Sequence, residues 1–320
     1  MKLAQVVEDY VAWKRSLGFR FNSAGNIVRT FAREAGPVDL GDVSQQAVTG
    51  FLRGPRPAVR SSWHTKYSVL VGLFRFALQR GLLSTSPLPY LVPKRPEYAK
   101  PYIYSPEELR SILAGSEILD ARNRKSGQAA SVAPLTFRTL ILVLYGAGLR
   151  LSEALGLTTD DVDLSASTLV VQNTKFFKTR LLPIGPKLCS ALGLYAESRL
   201  ALLNRHPSAN TFFLRRHGTA ISGQAAERYF RMVRSHVGLR RWDGVYFQPR
   251  LHDLRHTFAV HRLVAWYRRG ADVQLLLPKL STYLGHVGLA ETQHYLTMTP
   301  DLLREASRRF ETYAAPEARP

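Results

Sequence analysis

The chain has 320 residues, 45% hydrophobic and 21% charged, a composition that can bury a sizeable core and excludes wholesale disorder. Its formal charge is +20, and both residues 1–100 (fifteen basic against six acidic) and residues 101–320 (29 against 18) are basic, which excludes a neutral globule with one basic tail. Two basic parts can clamp a polyanion from two sides, so nucleic acid is the expected partner.

Residues 3–17 place Leu3, Val6, Val7, Tyr10, Val11 and Leu17 on one helical face, stopped by Gly18. Acidic residues and the lack of a sustained apolar run set this segment apart from a signal peptide. Ser23 is placed to cap a second helix carrying Ile27, Val28 and Phe31, and Ser44 a third carrying Val48, Phe51 and Leu52. A longer fourth helix is expected from about Ala58 to Leu82, with Val59, Trp63, Tyr67, Leu70, Val71, Phe74 and Leu78 at helical spacing. Its other face carries Arg60, Lys66, Arg75 and Arg80, which suit a solvated face or DNA contact; Arg60 and Lys66 are taken as DNA contacts. Residues 1–85 thus form a small four-helix domain.

Prolines at 87, 89, 93, 96 and 101 forbid regular helix and define a semi-rigid linker over 86–103. The second domain, 104–320, opens with Ser105 as helix cap, Pro106 at the first helical position and Glu108 completing a capping box. A helix from about Pro134 ends near Gly146 and Gly148, and its apolar stretch is far short of the roughly 20 residues that cross a membrane. TLVVQN (168–173) and RLLPIG (180–185) read as strands around a basic turn with Lys175 and Lys178, and TFFLRR (211–216) offers a third. Lys178 and Arg180 join the expected DNA contacts. Cys189, the one cysteine, excludes an intrachain disulfide and a cysteine-rich zinc site, and its apolar setting suits an inert thiol on a helix. From about Gly223 onward the pattern is helical, ending in the amphipathic DLLREASRRFETY. The fold class is therefore mainly α with a small antiparallel β-sheet, in a soluble protein of the cytoplasm or nucleoid with no membrane partner.

Several residues in the second domain carry phosphate chemistry. Arg150 follows two glycines in GAGLRLSEALGL, with Ser152 as a helix cap; its guanidinium fork matches two phosphate oxygens, or pairs with Glu153. Lys175 hangs from a hairpin tip where an ammonium can protonate a leaving oxygen, with Lys178 as a competing assignment, although turn lysines are commonly just solvated. His252 and Arg255 are three apart and share one helix face. Tyr295 lies nine residues after His286; a phenol near pKa 10 needs cations or a base to ionise at neutral pH. His252, His256 and His261 could bind a metal, but no HExxH pattern or carboxylate set accompanies them, so no metal and no cofactor are expected.

Together, GAGLRLSEALGL, TKFFKTRLLPIG, LHDLRHTFA, LGHVG and TQHYL resemble, in order, the motifs of the tyrosine recombinase family, which includes phage integrases and Xer-type resolvases. The resemblance implies a SAM-like helical core-binding domain joined to a mixed α/β catalytic domain. It implies site-specific cutting and rejoining of double-stranded DNA without metal or ATP, through a 3′-phosphotyrosine on Tyr295. By the same resemblance Arg150 and Arg255 hold the non-bridging oxygens, His286 hydrogen-bonds the phosphate, His252 is base or proton partner, and Lys175 protonates the 5′ oxygen. A homo-tetramer on two DNA sites is implied, with accessory recombinases or directionality factors as further partners. DLLREASRRFETY could pass to a neighbouring subunit or dock within its own.

Two departures stand out. Arg255 and His286 are 31 residues apart, more than in compact members, which points to a local insertion in WYRRGADVQLLLPKLS. The chain also shows no additional arm-binding domain, and its ending resembles transposon-borne members, which suggests a mobile-element enzyme. A type IB topoisomerase, with a similar residue set, and a non-catalytic DNA-binding relative are the competing readings.

Overall fold

In the computed structural model, the residues described are 1–54, 61–95, 100–121, 130–172, 179–203, 210–245, 247–286, 288–297, 304–305 and 307–308. The chain divides into two compact units, Met1–Tyr98 and Ala99–Pro320.

The N-terminal unit contains α1 (Leu3–Ser16), α2 (Asn22–Ala35), α3 (Gln45–Arg53) and α4 (Ser61–Gln79). Leu3, Val6, Val7, Tyr10 and Val11 of α1 join Val28, Phe31, Val48, Phe51, Leu70 and Phe74 in one core. Leu17 does not take part: α1 ends at Ser16, and Leu17 is left 54% exposed where the chain turns into Gly18. Ser23 does not cap α2 either. The helix begins at Asn22, behind Phe21 in the left-handed region (φ 47°), and the Phe21 ring packs edge-on against Tyr10, 5.3 Å between centroids. Ser44 does cap α3, accepting the Ala47 N–H at 3.1 Å.

Helix α4 packs against α1, α2 and α3, so it buries more than a single stripe. Leu73, Phe76 and Ala77 are buried beside Trp63, Leu70 and Phe74, whereas Leu78 turns outward. Ala58, Val59 and Arg60 lie outside the described residues. Lys66, expected to face DNA, is turned inward instead. Its ammonium donates to the Phe51 carbonyl (2.7 Å) and sits 4.1 Å over the Phe51 ring, satisfying a carbonyl that the end of α3 leaves without a helical partner.

The second unit opens with α5 (Pro106–Ala114). Its capping box is formed: Ser105 Oγ accepts the Glu108 N–H (3.2 Å), and Glu108 Oε2 accepts the Ser105 N–H (2.8 Å). A 3-10 stretch, Gly115–Asp120, leads to α6 (Pro134–Gly146), α7 (Leu151–Gly156), β1 (Val162–Asp163), β2 (Thr168–Val171) and β3 (Arg180–Pro183). The strands form an antiparallel sheet in the order β1-β2-β3, with Leu169 opposite Leu182 facing the core. Then come α8 (Pro186–Leu203), α9 (Gly223–His236), α10 (Asp253–Arg268), α11 (Val273–Leu284) and α12 (Ala290–Gln293), which runs into a 3-10 turn, His294–Thr297.

The expected strand at 211–216 is absent. Thr211 and Leu214 make only isolated bridges, to Thr158 and Ala220, and the aromatic residues there serve packing: Phe212 and Phe213 both meet the buried Tyr195 ring at 5.3 Å. Cys189 on α8 is half-buried, with Sγ donating to the Leu164 carbonyl at 3.3 Å. The segment suspected of insertion folds as the last turns of α10, a turn at Gly270, and α11 capped by Asp272, which accepts the Leu275 N–H (3.1 Å). Of the closing segment only residues 304, 305, 307 and 308 are described. They are helical, and Glu305 pairs with Arg268 of α10 at 3.0 Å. No described helix is long and apolar enough to cross a membrane.

Candidate active site

Helix α6 is buried along Phe137, Leu140, Ile141, Val143 and Leu144, and the chain leaves it through a tight turn. Gly148 there has φ +62°, and a Cβ on it would meet Phe258 at 2.6 Å and Leu284 at 2.9 Å, so the turn needs glycine. Arg150 follows at the N-cap of α7. Its N–H donates to Glu153 Oε2 (2.9 Å), and its guanidinium donates to Glu153 Oε1 (2.8 Å) and the Gly285 carbonyl (3.2 Å). Ser152, expected as the cap, lies inside the first turn; Glu153 does the capping.

Arg255 on α10 is only 2% exposed. It donates to the Gly148 carbonyl (2.7 Å) and the Leu284 carbonyl (2.6 Å), tying the α6–α7 turn to the end of α11. Burial and the Arg150 charge lower its pKa to about 10, which leaves it cationic at neutral pH. His252 is the N-cap of α10 with helical backbone angles (φ −63°, ψ −27°), an exposed residue whose ring lies edge-on to His256 at 4.9 Å. Partial desolvation and the Arg255 charge hold His252 below the usual imidazole range.

Helix α11 ends at Gly285 in the left-handed conformation (φ +68°), which aims the next residue, His286, back toward Arg150 and Arg255. His286 Nδ1 is hydrogen-bonded to Thr292 Oγ1 (2.7 Å), and Thr292 is fully buried. Burial, with Arg255 and Arg150 nearby, pushes the His286 pKa down to about 4, so the ring is neutral at physiological pH. Tyr295 is 3% exposed, its ring 5.9 Å from His286 and 5.5 Å from His256. Burial raises its phenol pKa; the charge of Arg255, its hydrogen bond to the phenol, and Arg150 offset part of that rise. Tyr283, twelve residues before Tyr295, is packed instead, stacked on Phe258 at 5.7 Å and donating to the Pro183 carbonyl at 3.1 Å.

The fold thus gathers Arg150, His252, Arg255, His286 and Tyr295 from four separate elements. Lys175 and Lys178 lie outside the described residues, as does Arg60. Arg180, expected as a DNA contact, has a side chain only 11% exposed that lies on Glu153, at 2.8 Å. Glu153, considered in the sequence only as a partner of Arg150, is the shared carboxylate of Arg150 and Arg180, with Arg255 at 3.9 Å. Its spacing of three from Arg150 is the capping-box spacing and was the signal for it. Thr292 and Gly285 carried no comparable signal. Three guanidiniums around one carboxylate leave a net positive cavity wall beside a phenol, suited to binding a phosphodiester and developing charge on it.

Residues 107–301 match the family model described as the phage integrase family. A protein of Sinorhizobium fredii named as an integrase/recombinase, y4rB, is 33% identical over 96% of each chain. The tyrosine recombinase XerD of Mycobacterium leprae is 30% identical over 93% of this chain and 92% of its own. Among solved structures, the Tn1549 transposon integrase in complex with transposon right end DNA aligns with a TM-score of 0.65 at 16% identity, covering 98% of this chain and all (100%) of that one. A lambda integrase dimer bound to a core site aligns with a TM-score of 0.64 at 16% identity, covering 92% and 77%. These last two share the fold, mainly helical with a small antiparallel sheet. The chain belongs to the phage integrase family of tyrosine recombinases, the enzymes of site-specific DNA recombination.

Proposed function

We propose that this recombinase cuts and rejoins double-stranded DNA at a specific site through a covalent link to Tyr295, in the integration or excision of a mobile element. The observation that carries the reading is the Tyr295 phenol lying on Arg255, in a pocket where Arg150 and His286 converge. In this mechanism the Tyr295 oxygen attacks the scissile phosphorus, giving up its proton with His252 as base or proton partner. The bond from phosphorus to the 5′ oxygen breaks, and Lys175 protonates the departing oxygen. The product is a 3′-phosphotyrosine and a free 5′-hydroxyl. A 5′-hydroxyl from a second strand reverses the step, so the ester's bond energy is retained and ATP is not needed. Arg150 and Arg255 stabilise the charge on the non-bridging oxygens through the pentavalent state, and neutral His286 donates a hydrogen bond to it. That cationic set makes the reaction independent of metal and cofactor.

The N-terminal helical unit, residues 1–85, contributes DNA binding, the segment 86–103 links it, and 104–320 carries catalysis. Protomers assemble as a homo-tetramer on two DNA sites, a state supported by a fold-sharing lambda integrase tetramer bound to a Holliday junction. Likeness to the Tn1549 transposon integrase supports the mobile-element role. Incubation with genomic DNA in EDTA, followed by denaturing gel analysis, tests the chemistry. Wild type should yield adducts with free 5′-hydroxyl ends, and Tyr295→Phe none; adducts in the variant, or abolition by EDTA, would overturn it.

A further inference from the structure

Arg180 opens β3, five residues after Lys175 in sequence, and is almost withdrawn from solvent. Its two terminal nitrogens lie on the two oxygens of Glu153, at 2.8 and 3.3 Å. Its Nε is buried with no hydrogen-bond partner among the described residues, a cost a surface contact would not carry. The guanidinium also fills the space beneath Gly285, where a Cβ would lie 2.5 Å from Nη1 and 3.0 Å from Cζ. Among the described residues, the Gly285 carbonyl and the Glu153 carboxylate hold the Arg150 side chain.

We propose that Arg180 is a positioning residue of the cleavage site, sharing Glu153 with Arg150 and propping the Gly285–His286 turn so that Arg150 and His286 stay set for the scissile phosphate. The inference rests on the proposed cleavage by Tyr295. A carboxylate divided between two guanidiniums holds each less completely than one it grips with both oxygens. Without Arg180, Glu153 closes as a fork on Arg150 and draws its charge into an internal pair, while the turn before His286 loses its support. With it, three guanidiniums face one carboxylate, and the surplus positive charge is left for the phosphate.

The duplex recovered by covalent capture on the wild-type protein serves as substrate, and single-turnover cleavage at saturating DNA is compared among variants. Arg180→Gln should cleave about 10²-fold more slowly, as expected for a misplaced catalytic group, with DNA affinity unchanged. Arg180→Gln combined with Glu153→Gln should recover on the order of tenfold over the single variant, because no carboxylate remains to capture Arg150; a purely structural loss gives no such recovery. Arg180→Lys, which keeps the charge but not the fork, should fold and still cleave about tenfold more slowly. Wild-type cleavage by Arg180→Gln or Arg180→Lys would overturn the inference. So would a loss of affinity at unchanged rate, which would make Arg180 a DNA contact, or a double variant no faster than the single one. A wild type that forms no Tyr295-dependent adduct would overturn the reading of the site, and this inference with it.

Discussion

The rings of His286 and Tyr295 lie 5.9 Å apart with planes within 27° of parallel, and both sit beside the buried guanidinium of Arg255. Hydrogen bonding of His286 to buried Thr292 fixes one ring, and the 3-10 turn at 294–297 fixes the other. A neutral imidazole is thereby held against the phenol, next to a permanent cation.

That environment makes stability depend on pH. The folded-state pKa of His286, about 4, lies below the ordinary value of 6.5. Between those values the unfolded chain binds more protons than the folded one, so stability falls as pH drops through that window and stops falling below it. The loss is at most on the order of 3 kcal/mol, less whatever solvent screens. Denaturant unfolding from pH 8 to 4 should show a steeper acid loss for wild type than for His286→Asn. Equal slopes would contradict the burial of a neutral His286.

Gly285→Ala tests the turn that carries His286. Its φ of +68° is unfavourable for alanine, and the new methyl would collide with the Arg180 guanidinium at 2.5 Å. A loss of about 1–3 kcal/mol in unfolding free energy is expected, together with loss of covalent adducts. Thermal unfolding and the adduct gel check both, and a variant with unchanged stability would contradict this geometry.

Lys66 separates a structural from a DNA-binding role. Its hydrogen bond to Phe51 and its place over that ring give Lys66→Met an expected cost of about 1–2 kcal/mol in stability. The salt dependence of DNA binding should stay as in wild type, because no phosphate contact is removed. A reduced salt slope at unchanged stability would return Lys66 to the DNA surface.

Local chemistry was legible in the sequence; long-range sharing of charge was not. The Ser105 capping box, the Ser44 cap and the buried face of α1 from Leu3 to Val11 rest on neighbours three or four residues away, and each formed as expected, Leu17 alone falling outside that face. The motif order around Arg150, His252, Arg255, His286 and Tyr295 marked the family, and the fold brings these residues together. The intramolecular partners of Lys66 and Arg180 were not legible, because a solvated basic residue and one paired across 15 or 27 positions look alike in sequence. The aromatic run at 211–216 matched a strand by composition, yet its rings pack on Tyr195 instead of pairing the backbone. Helix α4 buried more than its stripe because other helices surround it.

The most direct test identifies the residue that carries the DNA. Trypsin releases residues 280–304 as one peptide containing both Tyr283 and Tyr295, so fragmentation of the nucleotide-modified peptide by tandem mass spectrometry decides between them. The expected result places the phosphodeoxynucleotide on Tyr295. Its location on Tyr283, or on any peptide outside 280–304, would contradict the proposed cleavage by Tyr295.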